Sequence, residues 1–449
     1  MTAAPDAQGS GRAGERYLLQ PGGSVAGELR VPGDKSISHR ALMLGGIAEG
    51  TSEVSGFLAS EDCLATLAAL EALGVVIERP ARERVIVHGA GLQGLRGASH
   101  GLDMGNAGTA MRLFMGLLAG RTFESTLVGD ASLMRRPMER VAAPLRQMGA
   151  RIVTQEGRPP VRLLGGGPLQ AIDYPLPMAS AQVKSAILLA GLTAKGETRV
   201  TEPAPTRDHT ERMLGAFGVR VERRGAMAAV SGGQHLRATR IEVPADFSSA
   251  AFFLVAGCLA ARNGLTLKGV GINPTRTGLI DMLGAMGADI RVRPAGQVEE
   301  TRGEPAADIE VRASALRGIE VPRALVPLAI DEFPVFFVAA ACAEGETVVR
   351  GAEELRVKET DRLAAMAAGL GRLGVQHELL PDGIRIRGRG GFRGGTVDSR
   401  GDHRIAMAFA IASLKAEAPI EVLDVANVAT SFPGFVETAR KAGLEIEAV

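Results

Sequence analysis

The sequence predicts an α/β fold assembled from a unit repeated six times, each unit carrying one surface helix and one buried helix. Three observations carry that prediction. A helix, a glycine and an alternating strand recur six times along the chain. A second, more apolar type of helix alternates with the first. At 449 residues the chain also exceeds what one ordinary hydrophobic core holds, which favours two or three domains, with two as the working number.

The recurrence reads EALGVVIE, RQMGARIV, GAFGVRVE, GAMGADIRV, GRLGVQHE and RKAGLEIEAV, marked by Gly74, Gly149, Gly218, Gly287, Gly374 and Gly443. Such spacing gives a unit of about 70 residues, longer than a solenoid repeat. Start signals precede five of the six helices. Examples are Arg136-Pro137, Asp208 with Glu211 as a capping box, Asn273-Pro274, and Ser431 ahead of Pro433, as Pro at the first position or a polar cap requires. The alternate helices begin PGDKSISHR, MGNAGTAMR, PMASAQVKSA, PADFSSAAFF, AIDEFPVFF and GDHRIAMAFA. They are apolar nearly all round, so they are the buried ones, and the architecture packs helices inside sheets. The polar stretch RPAGQVEETRGEPAAD reads as a surface excursion.

Composition narrows the function. Hydrophobic residues make up 46% and charged residues 22%, an ordinary globular balance. Lys+Arg and Asp+Glu number 51 and 50, so no global field draws the chain to nucleic acid or an anionic membrane. Any anion site must be local. Aromatics are 4%, with no Trp, which leaves few stacking platforms for RNA or single strands. Cys63, Cys258 and Cys342 show no CxxC spacing, so a disulfide framework or zinc site is not indicated and a reducing cytoplasm fits. Cys258 and Cys342 sit in apolar runs and read as core. His39, His209 and His403 lack metal-like spacing and read as orienting or capping groups. The opening MTAAPDAQGSGRAGERY lacks a secretory apolar stretch and reads as a mobile tail over residues 1–17. No downstream run reaches transmembrane length.

Several inner-helix starts could hold anions, because small residues expose free backbone N–H groups at the positive dipole end. PGDKSISHR adds Lys35, Ser36 and Arg40, and GNAGTAMR offers Asn106, Gly108 and Thr109 with little bulk. In RVKETDRLAAMAAGL, Lys358 and Arg362 are four apart on one helical face and should repel each other. An anion between them would relieve that, and so would Glu359 and Asp361 on a solvated face. Arg135, Arg136 and Arg404 stand at other helix starts. Asp331 and Glu332 precede an apolar run, where helix capping alone would account for them.

Taken in order, PGDKSISHR, GNAGTAMR, RPM, SAQVKSA, TRDHTE, NPTR, IDEFP, RVKETDR and DHRIAM resemble the signature series of the 5-enolpyruvylshikimate-3-phosphate synthase branch of the enolpyruvyl transferase family, from about Val31 to Phe435. The resemblance implies two similar lobes, each of three βαβαββ-type units around inner helices, an inside-out α/β barrel. It places residues 1–30 with 244–449 in a first lobe and 31–243 in a second, with the active site in the cleft between them. It implies that shikimate 3-phosphate contacts Lys35, Ser36, Arg40, Ser180, Ala181, Gln182, Arg207, Asp331 and Lys358. Phosphoenolpyruvate would contact Lys35, Asn106, Gly108, Arg136, Gln182, Arg362 and Arg404. The implied catalytic groups are Asp331, which takes the hydroxyl proton, Glu359, which gives and removes the C3 proton, and Lys35 with Lys358, which stabilise developing charge. No metal or organic cofactor is expected, and the expected state is a cytoplasmic monomer.

Two positions need separate comment. Many members carry Lys just before the Ser/Thr-Phe-Pro near the C-terminus, where this chain has Thr430. Some glyphosate-tolerant members replace the glycine of GNAGT with Ala, whereas this chain keeps Gly108, which implies that glyphosate binds. The alternatives are the sister enzyme acting on UDP-N-acetylglucosamine and a catalytically silent anion binder. The first usually carries a reactive Cys that GDASLMRRPM lacks. The second should have lost one of Lys35, Asp331, Glu359 or Arg404, and all four are present.

Overall fold

The computed structural model describes residues 15–294 and 304–449. Twelve α-helices occur among these residues. Six are inner: α1 (Lys35–Ile47), α3 (Gly108–Leu118), α5 (Ala181–Gly191), α7 (Phe247–Ala260), α9 (Phe333–Cys342) and α11 (His403–Ala412). They alternate with the outer helices α2 (Glu61–Ala72), α4 (Glu139–Gln147), α6 (His209–Ala216), α8 (Gly278–Ala285), α10 (Arg362–Arg372) and α12 (Phe435–Ala442). Inner helices are buried on all sides: every residue of α7 is buried, and so is all of α9 except Cys342. The six marker glycines follow the six outer helices at φ between +81° and +112°. That left-handed conformation closes a helix and is costly for any residue with a Cβ.

Six small sheets surround the inner helices. In each, a short segment runs parallel to a central strand; in five of them that strand pairs antiparallel with the second strand of a hairpin, and in the sixth the N-terminal strand Arg16–Leu19 takes that place. In one sheet the parallel partner is reduced to the bridges Arg317–Glu344 and Glu320–Val348. The order within a unit is βαβαββ, as the resemblance implied. Three partners come from far along the chain. Arg240–Glu242 runs parallel to Glu49–Ser55, Gly27–Leu29 parallel to Leu265–Gly271, and Arg16–Leu19 lies between Ile420–Leu423 and Ile446–Ala448.

Two separate apolar cores result. One draws on residues from Tyr17 to Val31 and from Ala245 to Ile446, the other on residues from Ile37 to Val243. The two strands of chain that join the lobes lie side by side, tied by Asp34 N to Pro244 O at 2.9 Å and Asp246 N to Pro32 O at 2.8 Å. Cys258 is core, whereas Cys342, the last residue of α9, is only partly buried.

Several local expectations need correction. The tail expected over residues 1–17 ends earlier, since Arg16 and Tyr17 pair with Leu423 and Val422; residues 1–14 lie outside the described residues. The excursion expected over RPAGQVEETRGEPAAD includes residues 295–303, which also lie outside them. Ser60 and Asp361 cap the outer helices α2 and α10, whereas the signals at Pro137, Asp208, Pro274 and Ser431 mark turns ahead of the other outer helices rather than caps. Helix α4 begins after Pro137, α8 begins four residues after Pro274, and α12 is entered through Gly434 at φ +84°. Asp208 stands at the start of α6 without capping it, because its carboxylate accepts from Arg212 and Asn273. Side-chain caps instead favour inner helices, with Asp34, Ser180, Asp246 and Asp402 on α1, α5, α7 and α11. Each accepts a backbone N–H orphaned by the helix start.

Candidate active site

The inner helices of both lobes aim their N-termini at one cavity between the lobes. Its wall includes Lys35, Ser36, Asn106, Gly108, Arg136, Ser180, Ala181, Gln182, Arg207, Asp331, Lys358, Glu359 and Arg404. Thirteen of the fifteen predicted site residues are thereby together. The other two stand behind the wall. Arg40 is buried, donating to Thr210 Oγ1 at 2.7 Å, Ser185 Oγ at 3.0 Å and Ser36 O at 2.9 Å. Arg362 is 1% exposed and donates through Nε to Asp402 at 2.8 Å.

Lys358 and Arg362 do not share a helical face. Lys358 follows a short 3-10 turn over Glu353–Val357, and Arg362 opens α10 after its cap Asp361. They meet at Asp331, which caps nothing. Its Oδ1 lies 3.2 Å from Arg362 and 3.5 Å from Lys358, while Oδ2 pairs with Arg207 and lies 4.0 Å from Arg404. Burial alone would raise the pKa of Asp331. Arg207, Lys358, Arg404 and Arg362 together hold it well below the usual carboxylate range, as close opposite charges do.

Glu359 is similar. Its Oε2 accepts from Arg362 at 2.5 Å, and Oε1 lies 3.6 Å from Arg136. Burial works to raise its pKa, but Arg362, Arg136, His403 and Lys358 drive it well below the ordinary glutamate value. In this state Glu359 is an ionised base, so the proton-donating half of its expected role does not follow from the unliganded site.

Lys35 Nζ reaches Asp62 Oδ2 at 2.9 Å. At the start of α3, Arg136 donates to Asn106 Oδ1 at 2.5 Å, and Gln182 accepts from Arg112 at 2.6 Å while donating to Thr109 at 2.9 Å. A Cβ on Gly108 would stand 2.9 Å from Arg136 Nη1 and 3.3 Å from Arg112 Nη1. Glycine there lets two guanidinium groups close over the helix start. Thr430 turns away from the cavity, donating to Asn427 O at 2.7 Å, and its neighbour Ser431 lines the wall instead.

Sequence reasoning missed Arg112, Arg140, Asp62 and Glu354, all on the wall. Arg112 left a signal, being the one charge in the apolar helix α3. Burial, then Arg140 and Arg136, lower its pKa to about 9. Arg140 lies 3.3 Å from both oxygens of Glu354 across the cleft. Among the described residues, eight cationic and six anionic side chains line the cavity, a surplus of positive charge on its wall.

Two histidines near the site link stability to pH. Burial, then Lys35 and Arg40, lower His39 to about 3. Burial, then Lys35 and Arg404, push His403 well below its usual value. Both stay neutral when folded but bind a proton below about pH 6.5 when unfolded, so their share of stability is full above that pH and is lost as pH falls. Between pH 7.5 and 5 His39 should cost about 2 kcal/mol, and His403 adds to it in the same direction. Urea midpoints should fall accordingly, and His39→Gln should remove one histidine's share of the slope. An unchanged slope in that variant would refute this account of His39.

Six small sheets around inner helices, with a cation-rich cleft fed by helix N-termini from both lobes, define a two-lobed α/β protein that takes up small polyanions. Comparison with known proteins narrows the class. The family model described as EPSP synthase (3-phosphoshikimate 1-carboxyvinyltransferase) matches residues 19–439, and the chain belongs to that family. It is 61% identical over 432 residues to the 3-phosphoshikimate 1-carboxyvinyltransferase of Methylococcus capsulatus, covering 96% of this chain and 98% of that protein. It is 60% identical over 431 residues to that of Alkalilimnicola ehrlichii, covering 96% of each. The solved EPSP synthase of Acinetobacter baumannii superposes with a TM-score of 0.86 at 52% identity, covering 97% of this chain and 100% of that one.

Proposed function

We propose that the chain transfers the enolpyruvyl group of phosphoenolpyruvate to the 5-hydroxyl of shikimate 3-phosphate and releases inorganic phosphate. The observation that carries this reading is Asp331, a single carboxylate facing four cations drawn from both lobes. The cavity wall around it carries more cations than carboxylates, and two substrates that each carry a phosphate and a carboxylate supply the balancing negative charge. Shikimate 3-phosphate lies along Lys35, Ser36, the α5 start at Ser180–Gln182, Arg207 and Lys358, with Arg40 bracing Ser36 from behind. Phosphoenolpyruvate lies against Lys35, Asn106, Gly108, Arg136, Gln182 and Arg404, with Arg362 behind the floor.

The hydroxyl oxygen bonds to C2 of phosphoenolpyruvate as Asp331 takes its proton and Glu359, protonated once both anionic substrates are bound, gives its proton to C3. The tetrahedral adduct then breaks its bond to the phosphate oxygen while Glu359 removes a C3 proton. Lys35 and Lys358 offset the charge that develops. We place the lobe boundaries at 1–30 with 244–449 and at 31–243; the two apolar cores support this division, although Val31 packs with the first. A cytoplasmic monomer is part of the same reading and rests on the sequence.

The test is phosphate release by the purified protein in chelator. Release that requires both shikimate 3-phosphate and phosphoenolpyruvate supports the proposal. Release only with UDP-N-acetylglucosamine gives the chain to the sister activity, and none with either leaves an anion binder. Glyphosate is expected to compete with phosphoenolpyruvate. Gly108→Ala should displace Arg136 and raise both the glyphosate inhibition constant and the phosphoenolpyruvate KM by about 10-fold or more, the worth of one charge-assisted contact. Unchanged inhibition in that variant would exclude this use of Gly108.

A further inference from the structure

Lys184 is the one charged residue in α5, and its side chain is 2% exposed. Its Nζ lies 2.7 Å from Glu202 Oε2 and 2.8 Å from Glu211 Oε1, with both glutamates also buried. These two carboxylates bracket the loop that carries Arg207. Glu202 follows the strand Glu197–Thr201, and Glu211 lies in the first turn of α6. Within the loop, Thr206 donates to the other oxygen of Glu202, and Arg207 crosses to Asp331. One turn before Lys184, the start of α5 presents Ser180, Ala181 and Gln182 to the cavity. One ammonium thus ties both ends of the Arg207 loop to the helix whose N-terminus faces the same space.

We propose that Lys184 is a positioning residue that holds Arg207 and the α5 N-terminus in register, so that both grip the phosphate of shikimate 3-phosphate. This rests on the function proposed above. Without the ammonium, two buried carboxylates face each other with the salt bridges of both lost and only the more distant Arg40 and Arg212 acting on Glu211, and Glu211 already has one buried oxygen without a hydrogen-bond partner. The loop then swings to water and takes Arg207 with it. Phosphoenolpyruvate shares only Gln182 with α5 and is otherwise held by Lys35, α3, Arg136 and the other lobe, so it is affected much less.

The experiment compares Lys184→Met, Lys184→Arg and the double variant Lys184→Met/Glu211→Gln in the full chain, reading both KM values, kcat, and hydrogen exchange over residues 202–208. Lys184→Met should raise the shikimate 3-phosphate KM by about 10- to 100-fold, the range of a lost charge-assisted contact. The phosphoenolpyruvate KM should change less than about threefold, and residues 202–208 should exchange faster while α9 keeps its protection. Lys184→Arg should recover part of the loss. The double variant keeps the net charge of the buried group, which guards against simple unfolding, yet should retain the high KM because the loop ends are still untied. A parallel rise in both KM values, or a fall in kcat alone, would reduce Lys184 to a structural residue. Should the wild-type protein not turn over shikimate 3-phosphate, the function proposal fails by itself; unchanged exchange over residues 202–208 in Lys184→Met would overturn the positioning role independently.

Discussion

Glu359→Gln is expected to lower kcat by about 10²- to 10⁴-fold, the usual worth of a positioned acid–base group, with the phosphoenolpyruvate KM little changed. Glutamine keeps the size and the acceptor that faces Arg362 at 2.5 Å, so packing and substrate placement survive while proton transfer does not. The resting carboxylate is ionised by its cationic neighbours, which suits removal of the C3 proton but not its delivery. Binding changes that balance. Two substrates bring several negative charges against Arg136, Arg362 and Lys358, weakening their hold on Glu359 and raising its pKa. The carboxylate limb should therefore be absent from kcat/KM above about pH 5, which reports the free protein, and appear at higher pH in kcat, which reports the complex. A Glu359→Gln enzyme within threefold of wild type would remove Glu359 from the chemistry.

The sequence exposed the repeat because each outer helix needs a residue at positive φ to end, and glycine at Gly74 or Gly443 is visible without any three-dimensional knowledge. Strand partners such as Arg16–Leu19 with Ile420–Leu423 were invisible, since pairing across most of the chain leaves no local pattern. Motif residues reached the cavity because each lies at an inner-helix start, a position that sequence can mark. The meeting of Lys358 and Arg362 at Asp331 was misread as helical spacing, since the 3-10 turn before Lys358 and the cap at Asp361 break that helix. Arg112 and Lys184 show the complementary signal, a lone charge inside an apolar helix. Burial of such a charge demands a partner, and the partner identifies the site: Gln182 for Arg112, the Arg207 loop for Lys184.

Asp331→Asn tests the electrostatic core of the reading. The substitution keeps the shape of the side chain but removes the one carboxylate that Arg207, Lys358, Arg362 and Arg404 share, leaving Arg362 to Asp402 and Glu359, Lys358 to Glu354 and Arg404 to Glu332. Removing one partner from a buried ion cluster costs about 3 kcal/mol or more, so the ligand-free variant should unfold at lower temperature. Asp331 has a depressed folded-state pKa, so its contribution is full above the unfolded value of about 4 and is lost as pH falls toward the folded one. Wild-type and variant stabilities should converge in strong acid. Shikimate 3-phosphate should stabilise the variant more than the wild type, because an anion now replaces the missing carboxylate. Turnover should nonetheless fall by about 10²- to 10⁴-fold, since an amide takes no proton from the 5-hydroxyl. Tighter binding with near-normal turnover would leave Asp331 as a counter-ion and require another base; lost turnover without the gain in ligand stabilisation would mean that the four cations do not share one anion site.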